Sequence, residues 1–180
     1  MRTKAIIIKR NAFNEHDQVV TCYCEDTGAT RALARGIYRA KSVQSLHLDS
    51  FNLIEFEMIP GKLYPIIASA HAIEQYPNLK SDVKRMAMVN FFMEVLDRIM
   101  FENEKDEKLW GFLTELVSRF DKADATELAD LFKVQQLKLL DVLGYADAPT
   151  HMQIDNLDSF FEYMTHGPLH SLRFLQTVLK

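Results

Sequence analysis

The stretch QVVTCYCEDTGATRALARGI, Gln18 to Ile37, decides the fold. Its first run alternates, with Val20, Cys22 and Cys24 on one face and Val19, Thr21 and Tyr23 on the other. Successive side chains of a strand point to opposite faces, so the run reads as a strand. Asp26-Thr27-Gly28 is a turn signal. The chain then returns with Arg31, Leu33 and Arg35 on one face and Ala32, Ala34 and Gly36 on the other. A hairpin is predicted here, and its neighbours follow by working outward. KAIIIKR precedes it, rich in β-branched residues. SFNLIEFEMI follows, then the strong turn Pro60-Gly61 and KLYPIIASAHAIE. Pro65 inside the last run marks a strand start, an edge or a bulge. About five strands at turn-punctuated spacing are too few for a sandwich and fit a small barrel.

The texture changes after Pro77. Leu79, Val83, Met86, Met93, Leu96 and Met100 recur at helical spacing with no Pro or Gly between them, which predicts one long helix from Leu79 to Phe101. A second helix carries Leu109, Phe112, Leu113, Leu116, Val117 and Phe120. Asp124 and Glu127 have the spacing of a capping box opening a third helix, which Gly144 stops. NLDSFFEYM and PLHSLRFLQTVL predict two short helices, with Pro168 in a first turn. The expected class is α+β, an all-β domain over 1–77 and an all-α domain over 78–180.

A chain of 180 residues has room for such a core. The apolar run near the start, Ala5 to Ile8, is too short for a signal segment, and no run approaches a membrane span. A cytoplasmic protein is expected. The two cysteines, Cys22 and Cys24, share a strand face. They read as small apolar side chains in a reduced compartment, ahead of a redox or metal role. Catalytic patterns are missing: no Gly-rich phosphate loop, HExxH or GxSxG occurs. NEHD, Asn14 to Asp17, gathers polar groups that read as a turn, not as a convergent acid–base pair. His166 and His170 are four apart, but Gly167 and Pro168 interrupt any helix between them, so no metal site is expected. Met86, Met88, Met93 and Met100 read as core packing ahead of an adaptable peptide groove.

Charge supplies the functional signal. The chain has a formal net charge of −4, yet Arg31, Arg35, Arg39 and Lys41 occur with no acidic residue among them. On one strand face Arg31 and Arg35 would stand about 13 Å apart, at roughly 3.3 Å per residue. Gly36 lets the backbone turn or approach a ligand, and Tyr38 offers a ring on which a base can stack. Lys9, Arg10 and Phe13 extend the patch. Cations along a groove with an aromatic among them are what a sequence-tolerant single-strand binder requires. The candidate nucleic-acid-binding residues are therefore Lys9, Arg10, Arg31, Arg35, Tyr38, Arg39 and Lys41. No catalytic residue and no cofactor is expected.

The chain also resembles the bacterial RecO family of DNA-repair and recombination mediators. TKAIIIKR is similar to the family's opening strand. Asn14-Glu15-His16-Asp17 stands at its Gly-Glu-x-Asp turn, and Ala34-Arg35-Gly36 at its Ala-Lys-Gly element. LHLDSFNLIEFEM is similar to its Leu-x-Pro-Phe strand, with Ser50 in place of Pro. EVLDRIM and LKLLDVLGYA are similar to its two helical signatures. The resemblance implies an N-terminal OB-fold and a C-terminal helical domain. It also implies binding of single-stranded and duplex DNA, annealing of complementary strands, contact with the single-strand binding protein, and recombinase loading with the partner RecR. No covalent chemistry is implied. Many family members carry a four-cysteine zinc module after the Leu-Gly-Tyr signature. No cysteine follows Cys24 here, so no zinc is expected. The segment from Asp147 is short for the family, and the acidic helical half is the wrong sign for an acidic single-strand-binding-protein tail. Two other functions fit the residues: a protein–protein adaptor acting through the acidic helical half, and an RNA-binding OB-fold protein.

Overall fold

The computed structural model describes residues 1–39, 43–145 and 157–179. The chain divides into two compact units, Met1–Gln75 with Met100–Trp110, and Tyr76–Ile99 with the chain from Gly111 onward.

The first unit is built on β1 (Arg2–Ala12), β2 (Gln18–Cys24), β3 (Gly28–Ala34), β4 (Leu53–Ile59) and β5 (Ile66–Glu74). They close into a barrel in the order β1-β2-β3-β5-β4. Every pairing is antiparallel except β3 with β5. This is the OB-fold topology. Pro65 immediately precedes β5, where its missing N–H costs the ladder nothing.

The interior follows the alternation. Ala5, Ile7, Val20, Cys22, Cys24, Ala32, Ala34, Ile54, Phe56, Met58 and Ile67 form the core. The Cys22 and Cys24 sulfurs lie 3.8 Å apart inside it. The Cys24 contact and complete burial push the Cys22 thiol up, away from a reactive thiolate. A β-bulge in β1 breaks the simple period: Ile7 faces Cys22, but Lys9 faces Thr21. Without the extra residue, Lys9 would share the inward face of Ile7. The bulge turns Lys9 outward and sets Arg10 opposite Val20.

The seam between β3 and β5 is nearly open. One pair, Leu33 with Ile66, joins them, beside a bond from the Leu33 N–H to the Pro65 carbonyl at 2.8 Å. Farther along, the edge of β3 is met by residues remote in sequence. Ala29 pairs in parallel with Glu102, and the Asn103 N–H donates to the Ala29 carbonyl at 2.9 Å. Phe101, expected at the end of a helix, and the residues that follow to Asp106 lie in the barrel unit. Gly28 makes room for them. Its φ is +74°, and a Cβ there would overlap the Glu104 carbonyl and stand 2.9 Å from the Lys105 nitrogen.

The second unit draws on α1 (Pro77–Ser81), α2 (Val83–Ile99), α3 (Glu107–Lys122), α4 (Leu128–Val142), α5 (Leu157–Met164) and α6 (His170–Val178). The single helix expected from Leu79 is two. Asp82 is extended, and its carboxylate accepts the N–H groups of Lys84 at 2.8 Å and Arg85 at 3.3 Å. An aspartate that satisfies two free amides starts a new helix without any Pro or Gly. α2 buries Met88, Phe91, Phe92, Met93, Val95 and Leu96 among its residues. Phe91 packs edge-on against Phe132 of α4 at 5.2 Å and Phe161 of α5 at 5.0 Å, while Phe92 meets Phe112 and Phe120 of α3. Met88 and Met93 lie in this core and are closed to a peptide.

The expected capping box does not form. α4 begins at Leu128 with Glu127 as its cap and no side-chain bond, and Asp124 serves through its carbonyl in the preceding turn. Gly144 does end α4, with bonds from the Gly144 N–H to Asp141 and the Tyr145 N–H to Leu140 that make a Schellman motif. Pro168 stands before α6, not in its first turn. The open amides of His170 and Ser171 donate instead to the Glu94 carboxylate at 3.1 and 2.7 Å. Partial burial pushes the Glu94 carboxyl up, but those bonds and the Arg98 charge outweigh it and hold it below the usual range.

Candidate nucleic-acid interface

The seven candidate residues fall into separate groups. β3 ends at Ala34, so Arg35 lies in the following turn and the expected arginine row along one strand does not exist. Gly36, at φ +64°, is where the chain leaves the strand direction. All of β2 is buried, and Arg31 is the one exposed residue of β3. From β2 and β3, the strand face through which an OB-fold commonly binds an oligonucleotide therefore offers Arg31 alone, with Lys9 beside it on β1.

Lys9 and Arg31 belong to that outer face. Both stand opposite Thr21, one on each neighbouring strand, which sets their backbones about 10 Å apart at roughly 4.8 Å per strand. Arg31 is engaged by the Glu102 carboxylate at 3.2 Å. Arg10 is turned into the protein, donating to Asp49 at 2.8 Å and to the Leu48 carbonyl at 3.2 Å. Lys41 lies outside the described residues.

Arg35, Tyr38 and Arg39 form the remaining group, on the loop after β3. Asp17, on the loop between β1 and β2, organises it. One carboxylate oxygen accepts the Gly36 N–H at 2.7 Å, and the other accepts the Asn14 amide at 2.9 Å. Asn14 in turn accepts the N–H groups of His16 and Asp17. The Gly36 and Asn14 bonds, helped by the Arg35 and Arg39 charges, hold the Asp17 carboxyl below its usual range against partial burial. The Tyr38 N–H donates to the His16 carbonyl, and the Gln18 amide donates to the Tyr38 hydroxyl. The half-exposed Tyr38 ring is thus held at its base and open above. Arg39 folds back so that its side chain lies over Gly36, whose Cβ position is 3.4 Å from the Arg39 Cδ.

A third loop joins these two. Phe13 meets Tyr64, on the β4–β5 loop, edge-to-face at 6.1 Å. Phe13 is 46% exposed, and Lys62 on the same loop as Tyr64 is exposed. In the sequence Asn14 to Asp17 reads as a polar turn, and Pro60-Gly61 marks the loop of Lys62 and Tyr64 only as a turn; the β1–β2 and β4–β5 loops of an OB-fold are the usual ligand loops. The end of the barrel therefore gathers two arginines, a lysine and three aromatic rings onto three loops. Among the described residues it holds no convergent set of acid, base and nucleophile, and no three His, Cys, Asp or Glu side chains are grouped to hold a metal.

A model described as "Recombination protein O N terminal" matches residues 1–76, and "Recombination protein O C terminal" matches 80–147. The chain belongs to the RecO family. Its two short family-like elements, Asn14–Asp17 and Ala34–Gly36, are the ones joined by the Asp17–Gly36 hydrogen bond. Relatives named DNA repair protein RecO include those of Thermoanaerobacter sp., 28% identical over 87% of this chain, and Caldanaerobacter subterraneus, 27% identical over 81%. That of Syntrophomonas wolfei is 27% identical over 84%. The matches cover 58 to 60% of those relatives' length. Among the described residues no helix of this RecO-family chain is long and apolar enough to cross a membrane.

Proposed function

We propose that this RecO-family chain is a non-enzymatic DNA-binding mediator of repair and recombination, and that it holds single-stranded DNA across the loop end of its barrel. The observation that carries the reading is the Asp17-centred junction, which fixes Arg35, Tyr38 and Arg39 beside the β1–β2 loop. Arginines neutralise phosphates without reading sequence, and exposed rings stack on any base. Phe13 and Tyr38 supply such rings. A strand held by its phosphates with its bases splayed is prepared for annealing and for transfer to a recombinase with a RecR-type partner. Contact with a single-strand binding protein belongs to the same proposal.

Fluorescence anisotropy of a labelled oligothymidylate, titrated at several salt concentrations, tests the reading. If Lys9, Arg35 and Arg39 engage phosphates, log affinity falls against log salt with a slope of about −2, from roughly 0.7 per contact on a single strand. Reversing Arg35 and Arg39 to Glu removes most of the binding. A folded double variant that binds as the parent does overturns the site. Matched RNA and DNA oligonucleotides in competition separate this reading from an RNA-binding one.

A further inference from the structure

The exposed arginine of the closed strand face is met by a carboxylate from far along the chain. Glu102 follows Phe101, which is itself 72% exposed, and no part of Glu102 is needed to fill the core. The segment is held by other means: the Ala29–Glu102 backbone bridge, the Asn103–Ala29 hydrogen bond, the Asp106 N–H donated to the Tyr23 hydroxyl at 2.8 Å, and the clearance at Gly28. Lys105, the segment's own cation, is paired with Glu107 at 3.3 Å. The Arg31–Glu102 pair has both side chains about half exposed, at 48% and 53%. A pair so exposed contributes little to stability. It is easily exchanged for a stronger partner, and its exchange leaves the backbone tethers intact. A phosphate offers Arg31 a charge-assisted, bidentate alternative.

We propose that the 101–106 segment is an acidic strap whose Glu102 carboxylate occupies the phosphate position at Arg31 and is displaced when a nucleic-acid strand passes over β3. The inference rests on the nucleic-acid reading above and adds an intramolecular competitor to it. Strands held only at the loop end leave the strap in place. Strands long enough to extend from the loops onto β3 must exchange Glu102 for phosphate, so the strap lowers what a strand gains by extending there by the worth of the Arg31–Glu102 pair.

The test is a double-mutant cycle of Glu102→Gln and Arg31→Gln, read by anisotropy on a long labelled oligothymidylate, with thermal melts to establish folding. Because Arg31 meets phosphate in both proteins, removing the competitor leaves the slope near the parent's and raises affinity by up to about five-fold, the worth of an exposed ion pair. Glu102→Gln is expected to show that gain in the parent background and none when Arg31 is Gln. A gain of the same size in both backgrounds reports net charge alone and overturns the strap. So does an unchanged affinity in Glu102→Gln when Arg35 and Arg39 reversal still abolishes binding, and in that case the DNA reading stands. Failure of the parent and of every variant to bind at low salt overturns both.

Discussion

Replacing Gly28 with Ala isolates the contact that seals the barrel edge. Two costs arise at this position. The backbone is left-handed, which costs an L-residue about 1–2 kcal/mol. The new Cβ would also overlap the Glu104 carbonyl, which is main chain and cannot rotate away. The 101–106 segment must move, and the Asn103–Ala29 and Asp106–Tyr23 hydrogen bonds go with it, at about 1 kcal/mol each. The stiffer unfolded chain returns about 0.4–1 kcal/mol. The net loss is about 3 kcal/mol. Gly36→Ala is the internal control, because Gly36 is also left-handed but its Cβ would meet only the flexible Arg39 side chain at 3.4 Å. It should cost about 1 kcal/mol. The assay is urea unfolding followed by the fluorescence of Trp110, the single tryptophan of the chain, which lies in the barrel unit. If the two variants agree within about 0.5 kcal/mol, backbone conformation alone sets the cost and the steric argument for the 101–106 segment is refuted.

Two further outcomes follow from the same structure. The Asp17 carboxyl has a folded pKa below its unfolded value of about 3.9, so its stabilisation is present above that value and is lost as pH falls through the folded pKa. Asp17→Asn should therefore flatten the acid limb of the stability profile below about pH 4 and leave its neutral-to-alkaline shape unchanged, measured by urea midpoints across pH. In the helical unit, Phe92→Ala removes a fully buried ring that contacts Phe91, Phe112, Phe120 and Phe132. It should cost about 3–5 kcal/mol in equilibrium denaturation, and a loss below about 1 kcal/mol would contradict the packing described.

The strands were legible because alternation, turn residues and a proline at a strand start all pointed to one arrangement. Cys22 and Cys24 fall inside with Val20, as the period requires. The α2 core was legible in type but not in extent. An aspartate that caps from within an unbroken apolar pattern leaves no Pro or Gly to mark it, so the stop at Asp82 was invisible. Asp124 and Glu127 showed the opposite failure, a cap spacing whose side chains make no cap. At the candidate site, the basic loop was legible as composition. Its geometry was not, because a bulge at Ile8 decides where Lys9 and Arg10 point, and a left-handed Gly36 takes Arg35 off the strand. FENEKDE, which has neither helical nor strand period, gave no sign that it borders β3.

That last segment bears on how the barrel is made. All five strands are synthesised before Phe101, yet one edge of β3 finds its partner only in residues that follow α2. On a nascent chain growing from its N-terminus, the barrel passes through a stage with Ala29 and the Tyr23 hydroxyl uncovered and its β3–β5 seam joined at one rung. An unpaired strand edge at that stage is a template for another chain. Completion depends on a contact about 75 residues away in sequence, a slow closure by the entropy of long loops. Residues 1–76, although they hold the five barrel strands, are thus an unfinished barrel, and a fragment cut at that boundary should aggregate where the longer chain does not.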